Sequence, residues 1–261
     1  MAAAAGSGDA HSGPQLDPFY HLTGFDELGS TNEEARRVAE AGAPEGELIW
    51  SRMQGAGRGR RGRVWSSPPG NLYTSLVLRP DCAPYTAAQI SFVSALAIHD
   101  VVANALSRPD LVYVKWPNDV LIEGRKTAGI LLESRIGGGP GLEWLIVGVG
   151  INILSHPDDA ERPATSLHAE GGGMTVEQAL VSFSDAFLRY YREWQASGFA
   201  PIREAWLARA RGLGEPIDVR LDKESFSGIF EGLDENGALQ VQTEAGMRIV
   251  TAGDVFSPTG V

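Results

Sequence analysis

The stretch Gln54-Gly55-Ala56-Gly57-Arg58-Gly59-Arg60-Arg61-Gly62-Arg63-Val64-Trp65 decides which fold this chain can adopt. Residues 57–62 spell G-x-G-x-x-G, and Val64 extends the pattern to that of a kinase glycine-rich loop. A dinucleotide-binding turn must lead into a helix, yet Val64-Trp65-Ser66-Ser67-Pro68-Pro69 cannot start a good one. A kinase needs H-R-D and D-F-G downstream, and neither occurs; nor does G-x-x-x-x-G-K-[ST]. What remains is the chemistry of the loop. Its glycines let the backbone approach a ligand closely. Its arginines offer forked donors to phosphate or carboxylate, and Trp65 offers a flat face to a base. The loop suits a nucleotide or another anionic ligand, although composition leaves open a solvated basic loop of the RG type that binds RNA.

Outward from this loop the pattern alternates between helices and hairpins. Ser30-Thr31-Asn32-Glu33-Glu34 opens a helical run that stops at Gly42, with a capping box expected from Ser30 and Glu33 or from Thr31 and Glu34. Strands are expected over 47–52 and 72–78, and a helix over 86–106. A strand over 111–116 ends at Pro117; its alternation sets Val112 and Val114 on one face, Tyr113 and Lys115 on the other. Strands over 120–122 and 128–132 flank a turn at Glu123-Gly124, and 142–153 is a partly glycine-rich strand. Residues 175–198 form a long amphipathic helix carrying Leu180, Phe183, Phe187, Tyr190 and Trp194, and a shorter helix follows Pro201. This is an α+β order. After Gly212 short strands at 217–221, 226–231, 238–243 and 247–251 alternate with turns, with a hairpin signal at Asp234-Glu235-Asn236-Gly237. They predict a small β-barrel. The expected organisation is a flexible tail over 1–18, a catalytic domain over 19–212 and a barrel over 213–261.

Bulk properties narrow the function. Of 261 residues 43 % are hydrophobic, enough for a core. The formal charge of −11 opposes a general nucleic-acid binder. A single cysteine, Cys82, allows no internal disulfide, which suits a reducing cytoplasm and leaves open a disulfide-free secreted protein. The N-terminal residues lack the apolar stretch of a signal peptide. The longest apolar run, 144–154, is too short to span a bilayer, so no membrane partner is expected.

Three further segments carry candidate chemistry. Val114-Lys115-Trp116-Pro117-Asn118-Asp119 would hold an ammonium before a rigid turn, or be an ordinary strand end with Asn-Asp turn chemistry. Gly124-Arg125-Lys126-Thr127-Ala128-Gly129-Ile130-Leu131 and Gly148-Val149-Gly150-Ile151-Asn152 place glycines inside strands, where they mark close approach by a ligand or another chain, or bulges.

In this order, these segments together with Ser30-Thr31-Asn32 and Ala164-Thr165-Ser166-Leu167 closely resemble the biotin protein ligases, over about residues 25 to 170. The resemblance implies a class II aminoacyl-tRNA-synthetase-like (biotin/lipoate ligase) catalytic domain, with the region from Gly214 similar to the family's SH3-like barrel. It implies biotin and Mg2+-ATP as substrates, biotinyl-5'-AMP as intermediate, and a lysine of a biotin carboxyl carrier protein domain as acceptor. Ser30, Thr31, Asn32 and Gln54 would read the ureido head. Arg58 and Arg60, with the backbone of Gly59, would screen carboxylate from α-phosphate, and Trp65 would stack on adenine. Lys115 would bridge the reacting oxygens; Lys126, Gly129 and Asn152 would serve the nucleotide side. No residue is nominated as a metal ligand. Gly55 departs from the larger polar residue of many relatives. Some relatives also carry an N-terminal helix-turn-helix domain; too few residues precede position 25 here, so ligase activity without operator binding is expected. A lipoate-protein ligase shares the fold, but the ureido-reading residues favour biotin. Monomer and homodimer both stay open.

Overall fold

The computed structural model describes residues 10–11, 13–138, 141–158 and 163–256. An eight-stranded sheet forms from β1 (Ala10–His11), β2 (His21–Leu28), β3 (Glu47–Gln54), β4 (Leu72–Leu78), β5 (Val112–Lys115), β6 (Asp119–Ile122), β7 (Arg125–Ile136) and β8 (Leu142–Ile151). Their order is β1-β2-β3-β4-β8-β7-β6-β5. Only β2 and β3 run parallel, joined by α1 (Thr31–Glu40), while the other named pairs are antiparallel. Every residue of β4 is buried because helices cover both faces of the sheet. On one face α1 packs Ala35 and Ala39 on Ile49, Val77 and Ile146. On the other lie α3 (Ile90–Asn104) and α4 (Val176–Ser197). A short helix, α2 (Pro84–Ala87), precedes α3. The stretch Pro84–Asn104 is long and apolar enough to cross a membrane by length and composition, unlike the 144–154 run, but 67 % of its most apolar window is buried in this core.

The second sheet has five strands, β9 (Pro216–Arg220), β10 (Ser225–Leu233), β11 (Leu239–Thr243), β12 (Gly246–Val250) and β13 (Asp254–Phe256), ordered β12-β11-β10-β9-β13. It follows α5 (Phe199–Leu207). Its hairpin turn wedges into the larger domain. Gly237 takes φ +88°, and a Cβ there would lie 2.6 Å from the Phe92 ring, so only glycine fits the turn and the contact. Trp116 Nε1 donates to Gly237 O at 3.2 Å across the same seam. One apolar cluster runs from α3 and α4 through to Phe230, Leu239 and Val255.

Local expectations fail where tertiary partners intervene. Ser30 is the N-cap of α1 but makes no side-chain cap bond, so neither expected capping box forms. The Thr31 N–H is taken instead by Gln54 Oε1 at 2.8 Å. The box appears on α4, where Thr175 and Gln178 cap each other. Helix α5 starts at Phe199, ahead of Pro201, because proline is tolerated in a first turn that lacks internal N–H partners. Strands β2 and β13 are additions to the sequence reading. Part of the expected tail is tied down: Ala10 and His11 pair with Phe25 and Gly24, and Leu16 packs on the core. Residues 1–9 and 12 of that tail lie outside the described residues.

Candidate active site

The N-terminus of α1, the middle of β7 and β8, and the Arg/Gly loop enclose a cavity of about 530 Å3. It is lined by Ser30, Thr31, Asn32, Gln54, Arg58, Gly59, Arg60, Trp65, Lys126, Gly129 and Asn152. These are eleven of the twelve residues singled out in the sequence. A second hollow of equal volume, near Trp50 and Leu154, is lined by none of them.

At one end short polar side chains are buried together. Ser30, Thr31 and Asn32 are each about 5 % exposed or less. Gln54 Oε1 faces the Thr31 hydroxyl at 3.1 Å, and Gln54 Nε2 donates to Ser67 Oγ at 2.9 Å. Ser67 in turn donates to Trp65 O at 2.9 Å. The other end is charged. Lys126 Nζ pairs with Asp119 Oδ1 at 2.6 Å and lies 5.2 Å from the Trp65 ring centroid. Asn152 donates its amide to Thr165 O at 3.0 Å and is buried.

The sequence glycines in β7 and β8 are close-approach sites, but the group that approaches is a side chain of this same chain. A Cβ on Gly150 would lie 2.6 Å from the Trp65 indole, and one on Gly129 would lie 3.1 Å from it. A Cβ on Gly148 would fall 2.1 Å from Asn32 Oδ1. The floor of the cavity is therefore the indole laid on bare backbone. Its buried Nε1 has no hydrogen-bond partner among the described residues.

The Arg/Gly loop is pinned at three points. Arg58 pairs with Glu33 of α1. Arg60 Nη1 donates to Asn118 Oδ1 at 3.2 Å, and burial pulls the Arg60 guanidinium below its ordinary pKa despite Asp254 and Asp119 nearby. Arg63 donates to Asp254 Oδ2 at 2.7 Å, and Arg61 reaches Asp222 at 2.8 Å and Asp254 at 3.5 Å. Both acids belong to the small domain, and Asp254 lines the cavity.

Lys115 is the predicted residue that does not line the cavity. It is half-buried as the alternation of β5 requires, and its Nζ sits 5.7 Å from the Phe256 ring centroid. Its motif neighbours Asn118 and Asp119 do line the cavity. They were legible as part of the Lys115–Asp119 motif but were not nominated. Asp254 had no local signal.

A model of the biotin/lipoate A/B protein ligase family matches residues 27–152, and one of the biotin protein ligase C-terminal domain matches residues 212–257. The biotin–[acetyl-CoA-carboxylase] ligase of Paracoccus denitrificans is 45 % identical over 233 residues, 87 % of this chain and 96 % of that protein. The chain belongs to the biotin protein ligase family. The bifunctional ligase/repressor BirA of Bacillus subtilis is 35 % identical over 90 % of this ligase and 73 % of the relative. Among solved structures, the biotin protein ligase from Aquifex aeolicus in complex with biotin and ATP superposes with a TM-score of 0.78 at 26 % identity, covering 90 % of this ligase and 98 % of that chain. The α+β architecture with a separate C-terminal domain is that of the family.

Proposed function

We propose that the ligase joins biotin to AMP from ATP, releasing pyrophosphate, and passes the biotinyl group to one lysine of a biotin carboxyl carrier domain. The observation that carries this reading is the convergence on one cavity of a neutral hydrogen-bonding end, an aromatic floor and a cationic end. A cyclic urea fits the first, adenine the second and phosphates the third. Arg58, Arg60 and Lys126 offset repulsion between the biotin carboxylate and the α-phosphate. Lys115, whose Nζ lies 5.7 Å from the Phe256 ring centroid, would add a further ammonium against the reacting anionic oxygens.

No group of three metal-binding side chains occurs among the described residues. A magnesium ion carried by the nucleotide phosphates would meet two protein oxygens at the cavity wall, the Asp119 carboxylate, which it would share with Lys126, and the Asn152 amide oxygen. Its chemistry would be to neutralise phosphate charge. Incubation with ATP, magnesium and radiolabelled biotin tests the reading: labelled adenylate and pyrophosphate are expected. Their absence, with labelled lipoyl-AMP formed from lipoate instead, overturns it.

We also propose a cytoplasmic ligase without operator binding. The formal charge of −11 opposes association with the phosphate backbone of DNA. The acceptor domain would dock along an exposed strand edge.

A further inference from the structure

Behind the neutral end of the cavity a chain of hydrogen bonds crosses from α1 to the sheet and ends on an acid that does not itself line the cavity. Asn32 Nδ2 donates to Glu133 Oε2 at 2.7 Å. Asn32 Oδ1 then faces Ser75 Oγ at 2.6 Å, and Ser75 Oγ lies 2.8 Å from Thr31 Oγ1. Ser75 is fully buried.

The polarity of this chain follows from what each group can do. A carboxylate only accepts, so it holds the NH2 of Asn32 and turns the amide oxygen toward Ser75. An amide oxygen only accepts, so Ser75 spends its one proton on Asn32. At Thr31 the Ser75 oxygen is therefore an acceptor, and Thr31 must donate to it. Gln54 Oε1, 3.1 Å from the Thr31 hydroxyl, is served instead by the Thr31 N–H at 2.8 Å. The Thr31 hydroxyl is left with lone pairs alone. Gln54 is oriented the opposite way: with its oxygen taken and one N–H given to Ser67, its second N–H remains. The pair is an acceptor beside a donor, the complement of an N–H beside a C=O in a cyclic urea.

We propose that Glu133 is a positioning residue for ligand choice, setting the direction of the Asn32–Ser75–Thr31 chain so that Thr31 accepts from a ureido N–H. Gly148 belongs to the same device, since any side chain there would displace the Asn32 amide. The proposal rests on the reading that the ureido head binds at this end of the cavity.

Glu133→Gln is nearly isosteric but presents either a donor or an acceptor, so Asn32 can flip and the chain can reverse. The KM for biotin should rise about tenfold, the scale of one mismatched neutral hydrogen bond. The kcat at saturating biotin should stay within about twofold of wild type. The decisive readout is the preference for biotin over cyclic carbamate analogues, in which one ureido N–H is replaced by oxygen, both regioisomers being measured. That preference should fall about tenfold or more in Glu133→Gln and be kept by Glu133→Asp, which still only accepts. General loosening of the site would weaken both ligands equally, so an unchanged preference in folded Glu133→Gln overturns the proposal. Thr31→Val separates the two levels. If it alters neither KM nor preference, the placement of the ureido head is wrong; if it alters both while Glu133→Gln alters neither, only the role of Glu133 falls.

Discussion

Replacing Asp254 by Asn should unlatch the Arg/Gly loop from the small domain. Asp254 is 4 % exposed and accepts from Arg63 at 2.7 Å, with Arg61 at 3.5 Å. Removing one partner of a fully buried pair costs about 3–5 kcal/mol, and an exposed pair contributes about 0–1. Here the acid is buried while the Arg63 and Arg61 side chains are 42 % and 34 % exposed. Both cations can recover water, and Asn keeps the shape and one acceptor, so about 1–2 kcal/mol is the expected loss. It falls on loop docking to the small domain, because Glu33 and Asn118 anchor the loop to the large domain and the Arg61–Asp222 pair, with its acid 82 % exposed, is a weak substitute for Asp254. Release of preformed biotinyl-AMP, followed by stopped flow, should accelerate about 5–30-fold. Amide exchange over 58–63 should rise, while exchange in β4 stays unchanged. Arg63→Ala should do much the same, and the double variant should be non-additive by about 1 kcal/mol or more. Additive effects, or an unchanged release rate in Asp254→Asn, would refute the latch.

Lys115→Met should fold normally and lose pyrophosphate release by on the order of 10²–10³-fold, with Lys115→Arg a partial rescue; a near-wild-type rate would transfer the role to Lys126, which already lines the cavity. Gly150→Ala should force the Trp65 ring off the sheet, at about 1–3 kcal/mol of overpacking, seen as a changed tryptophan emission and a raised KM for ATP; unchanged emission and KM would count against the packed floor. Ending the chain after residue 212 removes both Asp254 and the Gly237 contact to Trp116, and should abolish activity; full activity of that truncation would deny the small domain any part in the site. Burial raises the Tyr20 and Tyr191 hydroxyls above their ordinary value, and their protons are used on Ser184 O and Glu45. Their neutral forms stabilise the fold up to about pH 10, and that contribution is lost as pH rises further, because the unfolded chain then binds fewer protons. Thermal melts should be flat through neutral pH and fall above about 10, with a shallower fall in Tyr20→Phe.

Much of the site was legible because its residues sit in runs whose chemistry is local. Two prolines after Trp65 excluded a nucleotide-binding helix, and alternation in 112–115 correctly buried Val112 and Val114. The strand β2 was not legible, since HLTGFDEL has no clean alternation: it lies near the sheet edge and only Gly24 and Leu28 are buried. Helix α2 and α3 were read as one run because Ala88 and Gln89, between them, keep helical backbone angles. The capping box at α1 failed because Gln54, 23 positions away, offered Thr31 a partner that no local pattern records.

Residue types and their spacing were enough to define a cavity chemistry: donors for anions, an aromatic for a base, short polar groups for a neutral head. Direction and partnership came from sheet order. Placing β8 between β4 and β7 lays Gly150 under Trp65 and Gly148 against Asn32. It also brings Glu133 to Asn32 across 101 positions, and the second sheet brings Asp254 to Arg63 across 191. Contacts at such separations have no period and no local propensity. They are set by which strands pair and where a side chain would or would not fit, so partners such as Glu133 and Asp254 emerge only when the whole chain is packed.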